Sequence, residues 1–383
     1  MKFDSHLCLV SAQATPNLAP ALDPAFQPAS VTLAVSEDMQ EKARWLEKVL
    51  KERGIQVEKL ALADAYDYNQ CWECFAGWLG RQSSNVALNV TGGTKVMAMA
   101  AQDVFREEKK PVFYVNIETD EVIRLDTREA PFTLPTRIRL KQYLEAHGYI
   151  VPKKLNKPDI NRDIRDFINR LAYESERLGK ALGTLNWLAS QAVAIRETGA
   201  FVSPALDKHD LDSKALDELI TMFRNENKLS LQNDKLVFPD EDARKFVNGG
   251  WLEYLVFQTL ATLAGELGGM DWATGIEILA PDGRRTQNEL DAACLLNNTL
   301  HIIECKSANL SSNGKTGESS GTDALYKLDA LRRMGGLRTK AMLVDFRGSL
   351  RDIDKSLAAQ MNLAVVSGSQ LRNLQGEIKA WLK

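Results

Sequence analysis

Short apolar runs and amphipathic stretches alternate from the start of the chain. His6 to Val10 and Val31 to Val35 have strand length, and Glu37 to Arg53, closed by Gly54, spaces its apolar residues as a helix does. The same rhythm continues through a strand at Ile55 to Leu60, a Trp- and Phe-containing helix around Tyr66 to Leu79, and a strand at Val86 to Val90. A helix from Lys95 to Arg106 and a strand from Val112 to Ile117 complete it. This alternation predicts a mostly parallel sheet with helices on both faces, a Rossmann-like α/β layout. Ligands bind such sheets beyond the carboxyl ends of the strands. Glu121 to Leu125 returns as a hairpin after Glu118-Thr119-Asp120, and Thr136 to His147 reads as a linker helix, so the first domain spans 1–149.

Pro152, Lys153-Lys154 and Pro158 then mark an exposed connection, because proline resists helix continuation and charge stays in water. Residues 150–247 carry helical patterns at Arg162 to Arg177, Thr184 to Ala194 and Ser213 to Asn225. A strand pair follows, Leu229 to Leu231 and Lys235 to Phe238, around Gln232-Asn233-Asp234. Three helices and a wing predict a winged-helix-like segment, a layout that serves as a spacer or dimer contact as well as a DNA binder. Residues 248–383 open with Asn248-Gly249-Gly250 and the apolar helix Trp251 to Leu263. Strands are expected at Ile276 to Ala280, Glu289 to Leu296, Leu300 to Cys305, Ala341 to Phe346 and Leu363 to Val366. Helices are expected at Thr322 to Arg333 and Asp352 to Met361, with a Ser/Gly/Lys-rich loop from Ser311 to Gly321.

Composition narrows the class. At 383 residues the chain is too long for one core, and 44% hydrophobic with 26% charged residues excludes a disordered or fibrous chain. No apolar stretch is long enough to span a bilayer, so the sequence reads as cytoplasmic with no membrane partner. Five scattered cysteines are not a secreted disulfide framework and are expected to be reduced. A net charge of −3 gives no global attraction for nucleic acid, leaving only local patches. Arg137 to Arg170 holds nine Lys/Arg against four Asp/Glu, and Lys327 to Lys355 eight against four; each is equally readable as a solvated helix face.

The strongest chemical signal lies in the expected hairpin, where Asn288-Glu289-Leu290-Asp291 begins one strand and Glu304-Cys305-Lys306 ends the next. Two strands joined by the polar turn Asn297-Asn298-Thr299 bring Asp291 and Glu304 side by side. Glu304 and Lys306, two apart on a strand, point to the same face. Two carboxylates suit a hard cation such as Mg²⁺ or Mn²⁺, and an ammonium beside them suits an attacking water or a phosphate in transition. Glu253, on an apolar helix, needs a cation or hydrogen-bond partner of its own. Glu289 is an alternate ligand or a rim acid. The competing reading is a salt bridge on a strand; the apolar run Leu300-His301-Ile302-Ile303 before Glu304 favours the site.

Glu253, Asp291 and Glu304-Cys305-Lys306, followed by a helix and a strand, resemble the PD-(D/E)xK restriction-endonuclease superfamily, with Leu290-Asp291 in place of its Pro-Asp. The resemblance implies metal ligation by Glu253, Asp291 and Glu304, with Lys306 as the catalytic lysine.

A second signal is Leu88-Asn89-Val90-Thr91-Gly92-Gly93-Thr94-Lys95, a strand running through two glycines into a helix, where free backbone N–H groups attract phosphate. It lacks Walker A spacing, and an ordinary tight turn is the competing reading. Ser11-Ala12-Gln13-Ala14-Thr15-Pro16-Asn17-Leu18 supplies another polar loop at the same sheet edge. Together these loops resemble the CARF domains of CRISPR-associated proteins, and the two ends of the chain together resemble the CARF nucleases of type III CRISPR systems. The resemblance implies that Ser11, Gln13, Thr91, Gly92, Gly93, Thr94 and Lys95, with Asn116 as a weaker candidate, contact a cyclic oligoadenylate, cyclic tetra-adenylate foremost, in a homodimer. Cys71-Trp72-Glu73-Cys74 lacks a second pair and reads as helix packing, Trp72, Phe75 and Trp78 at helical spacing read as core, and the four histidines form no metal-spaced pair.

The expected function is therefore a cyclic-oligoadenylate-activated, metal-dependent endonuclease acting on DNA or RNA in CRISPR antiviral defence. The alternative is a non-catalytic sensor with a winged helix and a degenerate nuclease fold.

Overall fold

The computed structural model describes residues 2–134, 137–158, 162–279, 287–312 and 320–383. Strand β1 (Ser5–Leu9), helix α1 (Thr15–Leu22), β2 (Ser30–Val35), α2 (Gln40–Glu52) and β3 (Gln56–Ala61) open the chain. α3 (Tyr68–Leu79), β4 (Val86–Asn89), α4 (Lys95–Glu107) and β5 (Val112–Asn116) continue the alternation. The strands lie side by side as β3-β2-β1-β4-β5, all parallel. The chain then turns back at Asp120, whose φ is 52°, into antiparallel β6 (Glu121–Arg124), and β7 (Phe132–Thr133) closes the edge. Along β1 and just past it the side chains alternate between faces as the strand period requires. Leu7 and Leu9 pack with Phe75, Trp78 and Met97 of α3 and α4. Cys8 and Val10 pack with Leu18, Leu22, Leu46 and Leu50 of α1 and α2.

One expectation fails here. Ser11 to Leu18 is not a loop throughout: from Thr15 it is α1, with a proline in the first turn and every residue buried. Proline at a helix start loses no hydrogen bond and brings a helical φ, so Pro16 begins this helix rather than breaking it. α5 (Leu140–Ala146) follows the sheet. The stretch beyond it, expected as an exposed connection, runs along the nuclease-like sheet described below, with backbone bridges from Ile150 to Leu279 and from Asn156 to Thr274.

The middle region holds α6 (Arg162–Tyr173), α7 (Ser175–Ser190), β8 (Val193–Ala194), β9 (Phe201–Ala205), α8 (Lys208–Leu211) and α9 (Lys214–Asn225). β10 (Ser230–Gln232), β11 (Lys235–Phe238) and α10 (Glu241–Lys245) complete it. The expected helices Arg162 to Arg177 and Thr184 to Ala194 are redivided: the break falls at Glu174, and Val193–Ala194 leave the helix to pair with β9. The expected wing is half of a four-stranded sheet, β10-β11-β9-β8, because β9 takes the free edge of β11.

The last third comprises α11 (Trp251–Leu267), β12 (Asp271–Leu279), β13 (Gln287–Leu296), β14 (Thr299–Lys306) and α12 (Ser320–Met334). It continues through β15 (Lys340–Asp345), α13 (Asp352–Gln360), β16 (Ala364–Ser367) and α14 (Leu374–Leu382), the last not anticipated from sequence. Its sheet runs β12-β13-β14-β15-β16, antiparallel through β14 and parallel thereafter. Ala280, the expected end of the first strand here, and 313–319 of the expected Ser311 to Gly321 loop lie outside the described residues.

Alternation divides this sheet between two cores. Ala293, Leu295, Leu300, Ile302, Ala341 and Leu343 join one continuous hydrophobic cluster with Leu18, Leu46, Tyr143 and Tyr149 of the N-terminal region. Ala292, Cys294, Ile303, Cys305, Met342 and Val344 join another with Leu171, Leu182, Phe223 and Trp251. One sheet thus serves as a wall of both.

Candidate functional site

The β13–β14 turn sets the first site. Asn297 and Asn298 have φ of 49° and 52°, and Leu296 pairs with Thr299, so two left-handed residues close a tight hairpin that suits asparagine. From that turn the ladder runs to Ala292 opposite Ile303, and Asp291 and Glu304 are the residues next along each strand. Asp291 Oδ2 accepts a hydrogen bond from the Cys305 N–H at 2.7 Å, which fixes its carboxyl against β14. Glu304 is 1% exposed. Its Oε1 accepts from Lys306 Nζ at 2.6 Å and from Lys327 Nζ, on α12, at 3.1 Å. Its Oε2 is buried without a partner among the described residues.

Glu253, in the first turn of α11, belongs to the same electrostatic cluster. Burial first, and then the charges of Asp291 and Glu289, push its carboxyl up to about 7. Burial and then Glu304 raise Asp291 to about 6. Burial works against the Lys306 charge, but Glu304 and Asp291 hold its pKa above the ordinary lysine value. Glu289, two residues before Asp291, pairs across the sheet with Glu277 and adds its charge to those acting on Glu253. The four sequence-predicted residues are therefore brought into one neighbourhood. Lys327 is added, a residue that sequence reading placed only in a basic stretch. Its signal was its place on the helix expected to follow Glu-x-Lys.

Repelling carboxyls and a bare buried oxygen are what a hard divalent cation relieves, so the donor chemistry fits Mg²⁺ or Mn²⁺. Their spacing does not make a ligand shell: among the described residues no group of three or more His, Cys, Asp or Glu side chains is gathered to hold a metal ion. Much of the nearby positive charge is already matched. Arg332 and Arg333 pair with Asp329, Lys355 pairs with Asp352, and Lys340 donates to the Trp381 carbonyl.

The second candidate site lies at the carboxyl ends of β1, β4 and β5, which are neighbours in the first sheet. Gly92 passes so near β1 that an added Cβ would lie 2.1 Å from the Leu9 carbonyl oxygen, and Gly93 takes φ of 72°. Both demands exclude a side chain. Thr94 caps α4, its Oγ1 accepting from Met97 N–H at 3.1 Å and donating to the Ala65 carbonyl at 2.6 Å, and Lys95 stands exposed at the helix start. Thr91 Oγ1 donates to Asn89 Oδ1 at 2.7 Å and accepts from Val115 N–H at 2.8 Å. Ser11 and Gln13 are half-buried on the loop before α1, and Asn116 ends β5, its Oδ1 accepting from Glu118 N–H at 3.1 Å.

Two buried amides that sequence reading did not single out hold these loops together. Asn17 donates to the Leu9 carbonyl at 2.9 Å, and Asn89 donates to the Pro16 carbonyl at 2.9 Å and to Asn17 Oδ1 at 3.0 Å. A satisfied buried network of this kind fixes a single geometry. The only available signal was a polar residue ending the apolar run Val86-Ala87-Leu88.

Cys71 and Cys74 lie on α3 as free thiols, each donating to a backbone carbonyl, of Asp64 and Ala61. Phe75 and Trp78 are buried as expected. Among the described residues no helix is long and apolar enough to cross a membrane.

Comparison with known proteins gives two family matches, the Card1 CARF domain over residues 5–143 and the Card1-like endonuclease domain over residues 240–383. Protein VC1899 of Vibrio cholerae superposes with a TM-score of 0.86 at 26% identity, covering 99% of this chain and 97% of that one. Can2 of Sulfobacillus thermosulfidooxidans, solved in complex with cyclic tetra-adenylate, gives 0.77 at 26% identity, again over 99% of this chain and 97% of that one. A curated sequence relative, transcription factor bHLH90 of Arabidopsis thaliana, is 29% identical over 124 residues, and the chain spans only 28% of that protein's length. With an N-terminal CARF α/β domain, a helical middle region and a C-terminal endonuclease-like α/β domain, the chain is a CARF-domain protein homologous to the Card1/Can2-type CRISPR nucleases.

Proposed function

We propose that the chain is a divalent-metal-dependent endonuclease gated by a cyclic oligoadenylate, with domains at 1–149, 150–247 and 248–383. The observation that carries the reading is the Asp291 carboxyl held on β14 by the Cys305 N–H at 2.7 Å, with the Lys306 ammonium 2.6 Å from the Glu304 carboxylate. Glu253, Asp291 and Glu304 would hold Mg²⁺ or Mn²⁺, which when bound supplies Lewis-acid stabilisation of phosphate and a more acidic water. Lys306, its charge secured by both acids, places a positive group beside the phosphodiester to be cut. The raised pKa values of Glu253 and Asp291 mark charge that burial and neighbouring acids penalise, a cost that a bound cation would offset.

At the other end, the glycine loop brings backbone N–H groups and Thr91, Thr94 and Lys95 to one strand edge, with Ser11, Gln13 and Asn116 beside them. That surface suits the phosphates of a cyclic oligoadenylate, and the Can2 complex makes cyclic tetra-adenylate the first to test. A homodimer in which two copies of the site share one messenger ring would match the two-fold symmetry of a cyclic tetranucleotide.

The test is cleavage of labelled single-stranded DNA, supercoiled DNA and RNA with Mg²⁺ or Mn²⁺, with and without cyclic tetra-adenylate. Wild type is compared with Glu304→Ala. Messenger-dependent cutting that the substitution abolishes is the expected result. Metal-dependent cutting indifferent to messenger removes the gate, and messenger binding with no cutting of any substrate replaces the enzyme with a non-catalytic sensor.

A further inference from the structure

Lys306 and Lys327 share one oxygen of Glu304 but stand on different footings. Lys306 belongs to β14, the strand that carries Glu304, and moves with it. Lys327 reaches the carboxylate from α12. The far end of that helix is gripped by the sensing region. The Tyr149 hydroxyl donates to the Leu331 carbonyl at 2.9 Å, and the Tyr143 hydroxyl donates to the Gly335 carbonyl at 2.9 Å. These are carbonyls of a helix C-terminus, which the helix itself leaves without partners, and both tyrosine hydroxyls are buried. The ring of His147 stacks on Tyr143 with centroids 4.2 Å apart.

The messenger loop reaches the same corner. A β-carbon added to Gly336, which has φ of 99°, would lie 3.2 Å from Gln13 Oε1 and 3.2 Å from His147 Nε2. Gln13 is one of the residues placed against the cyclic oligoadenylate. Gln13 and His147 thus both flank Gly336, two residues past the end of α12, and His147 stacks on the tyrosine that holds Gly335. From Leu331 back to Lys327 is about one helical turn, roughly 6 Å. A helix held by its terminal carbonyls shifts as a rod when its grip shifts, so a change at Gln13 reaches the Lys327 ammonium.

We propose that Lys327 is a positioning residue that couples the two sites: its ammonium on Glu304 restrains the carboxylate, and messenger binding at the Gln13 loop withdraws it through α12. The restraint is electrostatic. An ammonium on Oε1 and a divalent cation on the same carboxylate repel, so Glu304 takes the cation more readily once one ammonium leaves. Lys306 shares its strand with Glu304, so a shift of α12 leaves it in place and moves Lys327. Because coupling between sites is reciprocal, whatever weakens the Lys327–Glu304 pair also tightens messenger binding.

This inference rests on the reading above as a messenger-gated nuclease, and its test separates the two. Calorimetric titration of the full chain with cyclic tetra-adenylate in EDTA needs no metal and no cutting. Lys327→Ala is expected to bind the messenger about 5-fold more tightly than wild type, the lower end of typical coupling, and Lys327→Arg to restore the wild-type value. With metal added, Lys327→Ala is expected to cut without messenger while wild type does not. In a Tyr143→Phe/Tyr149→Phe background the effect of Lys327→Ala on messenger affinity is expected to shrink towards zero, the mark of a broken relay rather than a misfolded site.

Unchanged messenger affinity and unchanged messenger dependence in Lys327→Ala, with wild type both binding and cutting, overturns the coupling and leaves the proposed function standing. Loss of all cutting in Lys327→Ala also overturns it, by making the lysine part of the cutting machinery. A wild type that does not bind the messenger overturns the proposed function and this inference with it.

Discussion

The glycine loop of the sensing region and the carboxylate hairpin of the nuclease-like region are built from opposite materials. The loop owes its shape to backbone: Gly92 against the Leu9 carbonyl, Gly93 in the left-handed region, and two buried amides whose hydrogen bonds are all internal. The hairpin owes its character to charge, with Glu253 and Asp291 raised by burial and by their neighbours and one oxygen of Glu304 left bare. The loop's neutral network is satisfied before any ligand arrives, whereas the hairpin carries an electrostatic load that a partner would relieve. Damage to the first should therefore appear as lost structure and lost binding. Damage to the second should appear as lost chemistry, sometimes with gained stability.

The sharpest contrast comes from Glu304→Ala, which should lower cutting by at least about 100-fold while messenger binding tightens, as loss of the Lys327 pair requires, rather than weakens. A fall in both would erase the division between the sites. Gly92→Ala comes next. A methyl group cannot sit 2.1 Å from a carbonyl oxygen, so β1 and β4 must part. Messenger affinity is expected to fall by about tenfold or more, equivalent to roughly 1.4 kcal/mol, while cutting at saturating messenger returns.

Asn89→Ala leaves Thr91, Pro16 and Asn17 short of partners and should cost about 1–3 kcal/mol, read as a lowered melting temperature. Smallest is Glu253→Gln in metal-free protein. The folded-state pKa of Glu253 is raised to about 7 from 4.5, so the carboxyl favours folding while protonated and costs stability as pH rises through 7. The amide cannot ionise. Glu253→Gln should therefore melt higher than wild type at pH 8, with the gap closing as pH falls towards 4.5. A gap independent of pH would show that the carboxyl is not the source.

What the sequence disclosed follows the same division. The glycine pair, the strand rhythm and the Asp291, Glu304 and Lys306 spacing were legible because each depends on near neighbours in the chain. Gly92 marks a close approach, and a two-residue asparagine turn fixes which residues oppose one another. Asn17 and Asn89, 72 residues apart, meet only through the β1–β4 pairing, and nothing local marks either as a partner. Lys327 is likewise 23 residues from Glu304 and reaches it only once α12 has packed. The helix at Thr15–Leu22 was hidden for another reason: the polar run Ser11 to Leu18, with Pro16 in it, reads as a loop, yet Pro16 opens the helix and Pro20 sits inside it, buried. The redivision at Glu174 escaped because apolar spacing ran on across it from α6 into α7.

The sheet whose alternate residues line two different cores bears on how this chain comes apart. Ile302 and Ile303 are consecutive, yet one is packed with residues reaching back to Leu18 and the other with residues of the middle region. Neither core can open without stripping one side of the same strand, so melting in one place withdraws support from the other. Heated slowly, such a chain should absorb its heat in a single peak with matching calorimetric and van't Hoff enthalpies, like a far smaller protein. Its three regions, distinct in topology, should then behave as a single thermodynamic unit.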